Sequence, residues 1–267
     1  MERVATTPVR RYQRPMDDPA LLALAARLAE EAGAAILKVR ARGFAVVRKE
    51  DFSPVTEADH AAEAIIVAGL RAATPDIPVI AEEEVAGGRV TAPARSCWLV
   101  DPLDGTREFA SGKDEFVVNI GLVRDGNAAL GAVFIPALDE LFTGIVGVGA
   151  WKRDKADTKA IHTRAPPAAG LTVVASRLHG DTARLGEFLA GRHVARTINF
   201  GSALKFCCLA EGVADLYPRF GRTMEWDTAA PQAVLEAAGG RVVTTDGARL
   251  RYAKPGWENP HFICWGQ

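Results

Sequence analysis

Leu21, Leu22, Ala25, Leu28 and Ala32 recur at the three- and four-residue intervals that line one face of an α-helix. Asp17-Asp18-Pro19 ahead of them is a helix start, and Lys38, Arg40 and Arg42 followed by Gly43 are a helix end. A short strand pair is expected around Phe44–Lys49, then a second amphipathic helix over Ala61–Ala73, stopped by Thr74-Pro75. Ile77–Ala81 and Cys97–Val100 read as short buried strands, and Phe116–Val123 and Ala128–Ile135 flank the turn dipeptide Asp125-Gly126 as a hairpin. The polar, proline-bearing stretch Trp151–Pro167 reads as a hinge between two halves. Beyond it, strands (Leu171–Ala175, Val194–Asn199, Val213–Tyr217, Arg241–Thr245) alternate with helices (Asp181–Ala190, Ser202–Glu211, Thr228–Ala238). The pattern is α/β with mixed sheets, with no internal repeat or heptad run.

Composition narrows the class. Hydrophobic residues are 48 % and charged residues 24 % of 267, the balance of a soluble globular protein. A formal charge of −1 lacks the basic surplus of a nucleic-acid polymer binder. No apolar run approaches the ~18 residues of a membrane span. Cys97, Cys207, Cys208 and Cys264 sit in apolar stretches without a CxxC pair, which fits buried free thiols in a reducing cytoplasm. Residues 1–16 have no secretory core and read as a flexible basic tail; Arg3, Arg10, Arg11 and Arg14 leave peripheral contact with anionic lipid open. Residues 17–267 then read as one domain in two lobes, about 17–155 and about 156–267, with monomer and homodimer both open.

The charge average conceals where the acids sit. Four stretches place carboxylates beside strand or helix ends: Glu82-Glu83-Glu84 after Ile80-Ala81, Asp101-Pro102-Leu103-Asp104-Gly105-Thr106 after Trp98-Leu99-Val100, Glu225-Trp226-Asp227, and Ser53-Pro54-Val55-Thr56-Glu57-Ala58-Asp59. Taken singly, Glu82–Glu84 is a solvated loop, Asp227 an N-cap and Asp59 a helix-entry carboxylate. Asp-Pro-Leu-Asp-Gly-Thr exceeds capping. Two aspartates on a proline-stiffened turn, with the Leu103 carbonyl between them, form an oxygen-only set suited to a hard cation.

These segments, with Trp226-Asp227-Thr228-Ala229-Ala230 downstream, resemble the inositol monophosphatase superfamily, lithium-sensitive Mg²⁺-dependent phosphomonoesterases. Val174-Ala175-Ser176-Arg177-Leu178-His179, Gly201-Ser202-Ala203-Leu204-Lys205-Phe206-Cys207 and Leu216-Tyr217-Pro218-Arg219-Phe220-Gly221 look like its 3′(2′),5′-bisphosphate nucleotidase branch, the bacterial CysQ type. The resemblance implies a five-layered αβαβα sandwich and hydrolysis of adenosine 3′,5′-bisphosphate to AMP and phosphate, in support of sulfur metabolism, and leaves open the preference among adenosine bisphosphate, its sulfonated form 3′-phosphoadenylyl sulfate and other phosphates. It implies that Glu82, Asp101, Leu103 (by its carbonyl), Asp104 and Asp227 hold two or three Mg²⁺, and that Asp59 and Thr106 activate water with support from Glu83. Gly105, Thr106, His179, Ser202, Lys205, Arg219 and Asp227 would meet the substrate.

Ser202 and Lys205, three apart, share a helix face in its first turn, where a second phosphate gains from the dipole. Lys205 reads equally as a snorkelling surface lysine, and His179 equally as a solvated loop residue. Pro231, where the family usually has glycine, is expected to remove the helical bond to the Asp227 carbonyl and to loosen that turn. Phosphatases of inositol phosphate, histidinol phosphate or fructose bisphosphate share the metal motif and stay open, as does a non-catalytic nucleotide or metal sensor.

Overall fold

The computed structural model describes residues 16–48, 54–92, 94–155, 157–177 and 181–267. In chain order the first half contains α1 (Asp18–Arg42), β1 (Val46–Arg48), β2 (Pro54–Thr56), α2 (Glu57–Ala73), β3 (Val79–Ala81), α3 (Glu82–Ala86), β4 (Ser96–Asp104), α4 (Thr106–Ala110), β5 (Val117–Arg124), β6 (Asn127–Ile135), β7 (Glu140–Ile145), β8 (Gly149–Asp154) and β9 (Asp157–Ile161). The second contains β10 (Leu171–Ser176), α5 (Thr182–Leu189), β11 (Val194–Phe200), α6 (Leu204–Ala210), β12 (Leu216–Arg219), a 3₁₀ turn (Glu225–Asp227), α7 (Ala229–Ala237), β13 (Arg241–Thr244) and β14 (Phe262–Trp265). The basic tail and His179 lie outside the described residues, apart from Met16.

Local chemistry fixes the helix ends. Asp17 accepts from the Ala20 amide at 3.0 Å and caps α1, and Gly43 closes it at φ +82°. Helix α2 starts four residues before the expected Ala61, because Thr56 and Asp59 cap it reciprocally. Its polar first turn carries no hydrophobic periodicity, so the pattern alone misses it. The Asp125-Gly126 hairpin forms between β5 and β6. The strand pair expected within Phe44–Lys49 is instead β1 against β2.

The hinge reading of Trp151–Pro167 is corrected. Strands β8 and β9 cover much of it and complete a seven-stranded sheet of order β3-β4-β5-β6-β7-β8-β9. The residues that follow are tied down: Thr163 N donates to Ala238 O at 3.0 Å, and Arg164 forms an ion pair of 2.8 Å with buried Asp215. Alternating polar residues mislead here because β9 is an exposed edge strand.

Helices α1 and α2 cover one face of this sheet, burying Leu28, Ile36 and Ile66 against Trp98, Ile120 and Leu130. Helices α6 and α7 lie on the other face, between it and a five-stranded sheet of order β11-β10-β12-β14-β13. Phe188 and Leu189 of α5 cover the far side of that second sheet over Val173, Leu216 and Ile263. The layers run αβαβα. All four cysteines are buried and unpaired.

One packing device sets the position of the site. Gly121, Gly131 and Gly144 stand side by side on β5, β6 and β7. A Cβ at Gly131 would lie 2.4 Å from Ala230 O, and one at Gly144 2.8 Å from Val234 Cα. The backbone of α7 therefore rests directly on the sheet, and the turn before it, with Asp227, is brought down beside the end of β4.

Candidate active site

The proline of Asp101-Pro102-Leu103-Asp104 sits in a bulge. Asp101 pairs with Asn119 and Asp104 with Val117, and the register slips between them. Asp101 Oδ1 accepts from Leu103 N at 3.0 Å, which folds the bulge back on itself. Gly105 follows at φ +96°, where a Cβ would lie 2.8 Å from Glu115 O, so the turn into α4 admits only glycine. The bulge thus points both aspartates and Thr106 into one pocket of about 530 Å³, well within the range of small-molecule sites.

Asp101, Asp104, Glu82 and Asp227 all line this pocket. Burial, then the neighbouring Glu82, Asp104 and Asp227 charges, hold the Asp101 carboxyl well above its ordinary range. Burial pushes Asp104 up to about 6 against the opposing pull of Lys205, and burial with Asp104 and Glu82 pushes Asp227 up to about 8. Among the described residues no three His, Cys, Asp or Glu side chains close around a single point. The donor set nevertheless fits a hard cation. It is oxygen only, faces one space, and includes three aspartates, Asp101, Asp104 and Asp227, that burial holds towards the neutral form and whose ionisation a cation would favour.

Asp59 is buried, with Oδ2 accepting from Thr56 N (2.7 Å) and Thr56 Oγ1 (2.8 Å). Its Oδ1 lies 3.1 Å from Thr106 Oγ1, which also has Leu103 O at 3.0 Å. The Thr106 proton therefore has an acceptor either way, and the hydroxyl's lone pairs remain for another donor. Burial raises the Asp59 carboxyl in spite of the Thr56 bonds.

Glu82 and Glu83 open α3, whose N-cap residue, Ala81, offers no side-chain acceptor. The missing cap comes from α2: buried Glu63 Oε2 accepts from Glu83 N at 2.7 Å. Burial puts Glu63 at about 7. The turn bearing Asp227 is braced in the same way. Fully buried Glu225 accepts from Ala253 N (2.7 Å), Lys254 N (2.9 Å) and Lys254 Nζ (2.5 Å), while Asp227 Oδ2 accepts from Met224 N at 2.9 Å. Neither Glu63 nor the clamp on Glu225 is apparent in the sequence reading. Both are carboxylates whose partners lie twenty or more residues away.

Two geometric expectations are corrected. Helix α7 begins at Ala229 with Thr228, not Asp227, as its N-cap. Pro231 is then the third helical residue, whose N–H has no intrahelical acceptor in any helix. It costs no bond, and Gln232 N donates normally to Thr228 O at 2.8 Å. Ser202 does not share a helix turn with Lys205: it precedes α6, at φ +44°. That conformation is held from three sides. Ala203 N donates to Asp104 Oδ2 at 2.5 Å, Gly201 N to Glu115 Oε2 at 2.7 Å, and Lys205 Nζ to Phe200 O at 3.2 Å and Ser202 O at 2.5 Å.

Lys205 is no snorkelling lysine. It is 4 % exposed, over the Tyr217 ring, and burial lowers it to about 8. Arg219, the last residue of β12, is also buried and donates Nη2 to Arg222 O at 2.9 Å. Lys205, Arg219 and Ser202 share the pocket with the carboxylates, and Arg107 and Arg222, not singled out in the sequence, line it too.

The comparisons agree with this architecture. A protein of Escherichia coli O157:H7 named 3′(2′),5′-bisphosphate nucleotidase CysQ is 46 % identical over 241 residues, 88 % of this chain and 96 % of its own. A crystal structure of CysQ from Bacteroides thetaiotaomicron superposes with a TM-score of 0.78 at 33 % identity, covering 92 % of this chain and 97 % of the other. An inositol monophosphatase from Zymomonas mobilis superposes with a TM-score of 0.77 at 26 % identity, covering 95 % of each chain. Residues 17–261 match the inositol monophosphatase family, whose members are metal-dependent phosphatases, and the chain belongs to that family.

Proposed function

We propose that the chain is a Mg²⁺-dependent 3′(2′),5′-bisphosphate nucleotidase that releases the 3′-phosphate of adenosine 3′,5′-bisphosphate. One observation carries the reading: an oxygen-rich wall (Glu82, Asp101, Asp104, Asp227) and a buried cationic wall (Lys205, Arg219) line the same pocket. A dianionic phosphate at one end and a second phosphate at the other match those two walls. The similarity to proteins named for this activity supports it.

Glu82, Asp101, the Leu103 carbonyl, Asp104 and Asp227 would hold two or three Mg²⁺, which neutralise phosphate charge and acidify water when bound. Thr106, hydrogen-bonded to Asp59, would accept from the attacking water. As the water oxygen bonds to phosphorus, its proton would pass to Thr106 Oγ1 and the Thr106 proton to the ionised form of Asp59, while the bond from phosphorus to the ribose 3′ oxygen breaks and that oxygen takes a proton from solvent water. Glu83, anchored through its backbone by Glu63, supports a further water. The Gly105 and Thr106 amides meet the phosphate oxygens, and Ser202, Lys205, Arg219 and His179 receive the nucleotide side. Residues about 17–155 thus supply most of the metal side and about 156–267 most of the substrate side.

The test is phosphate release from a panel of monoesters with Mg²⁺, with and without lithium. Adenosine 3′,5′-bisphosphate should be hydrolysed with higher kcat/KM than inositol 1-phosphate, and lithium should inhibit. The reverse substrate order overturns the assignment.

A further inference from the structure

Asn119 is fully buried in β5, and neither its amide nitrogen nor its amide oxygen has a hydrogen-bond partner among the described residues. Its neighbours in the strand, Val117, Val118 and Ile120, are ordinary core residues. A buried amide is normally paired, so its position here asks for a partner that the surrounding site supplies.

That position is specific. Asn119 stands directly across the ladder from Asp101, on the same face of the sheet, where side chains start ~5 Å apart. The next residue on that face, Gly121, lies beneath the start of α7 at Ala229 and Ala230. Asn119 is one step nearer the metal end of β5, the strand that packs against the 3₁₀ turn carrying Asp227. Its full burial and its pairing with Asp101 place it behind that proposed metal ligand, out of solvent. One oxygen of Asp101 is taken by Leu103 N.

We propose that Asn119 is a positioning residue of the metal centre, its amide orienting the Asp101 and Asp227 carboxylates from beneath through a buried water. The inference rests on the reading that these carboxylates hold Mg²⁺. Hydrogen bonds behind metal ligands fix ligand orientation, and their loss typically weakens binding about 10–100-fold.

The experiment uses full-length protein and measures Mg²⁺ binding by calorimetry, the Mg²⁺ half-saturation of phosphate release, and the metal-free Tm. Asn119→Leu, which keeps the volume and removes the polar group, should leave the metal-free Tm unchanged or raised. Its Mg²⁺ dissociation constant should rise about 10–100-fold, with kcat at saturating Mg²⁺ within a few-fold of wild type. Asn119→Ser, whose hydroxyl can hold the water, should recover most of the affinity. If Asn119→Leu does not fold, Asn119→Ala carries the same expectation. Wild-type Mg²⁺ affinity in the folded variant overturns the inference, as does a loss that merely tracks a fall in Tm. Failure of the wild type to bind Mg²⁺ overturns the metal reading itself, and this inference with it.

Discussion

Changing pH in place of any residue gives the sharpest check on the carboxylate cluster. With Asp227 at about 8, close to nine-tenths of a proton remains on it at pH 7, and Asp104 at about 6 keeps about one-tenth. Asp101, also raised, adds to that store. A cation binds the ionised form, so these protons must leave when Mg²⁺ enters. From pH 6 to pH 8, Asp227 alone should tighten apparent Mg²⁺ binding about 50-fold and Asp104 about a further twofold, roughly 100-fold together. Calorimetry at pH 7 in two buffers of different ionisation enthalpy should report the release of about one to two protons per protein. The metal-free protein should show the opposite trend in stability. Groups whose folded pKa is raised contribute stability that is full below their unfolded values near 4 and is lost as the pH climbs through the folded ones. Asp104, Glu63 and Asp227 place that loss at about 6, 7 and 8, so the Tm in chelator should fall steadily from pH 5 to pH 8. Saturating Mg²⁺ should abolish most of the fall. An Mg²⁺ affinity that is flat over this range, with no proton release, would refute the buried, mutually repelling cluster.

Asp101→Asn should reduce turnover below detection while leaving metal-free Tm equal or higher, since a neutral amide replaces a buried carboxyl whose ionisation its neighbours oppose; unchanged phosphate release would sink the ligand assignment. Lys205→Met should raise KM for a 3′,5′-bisphosphate about 10–150-fold, the equivalent of a charged hydrogen bond worth about 1.5–3 kcal/mol, with a far smaller effect on a monophosphate; equal effects on both would point to the Phe200–Ala203 loop that Lys205 also ties. Glu225→Ala strips the carboxylate partner from Lys254 and the acceptor from two backbone amides, at a fully buried position. It should cost about 3–5 kcal/mol in denaturant unfolding and weaken Mg²⁺ binding as the Asp227 turn loosens. Gly131→Ala should destabilise by about 1–3 kcal/mol and lower Mg²⁺ affinity in parallel, because the added methyl group lifts α7 off the sheet; a neutral result would show that the contact at Ala230 is not constraining.

What the sequence determined by itself was local. The Asp17 and Gly43 boundaries, the Asp125-Gly126 hairpin and the burial of all four thiols follow from interactions spanning a few residues, or from hydrophobic runs. The Asp-Pro-Leu-Asp-Gly-Thr turn is legible for the same reason: its proline, its paired acids and its obligatory glycine lie within six positions. Polar edge strands defeated the reading, since β8 and β9 carry too little periodicity to separate strand from linker. The tertiary structure alone decided which acids serve as scaffold and which face the pocket. Glu63 reaches α3 across twenty residues, and Asp104 holds Ala203 across ninety-nine. Three glycines, evenly unremarkable in the chain, become one groove for α7 only when β5, β6 and β7 come into register. The physical reason is that a carboxylate, an amide or a missing Cβ has no fixed role until burial sets its dielectric and folding supplies its partner.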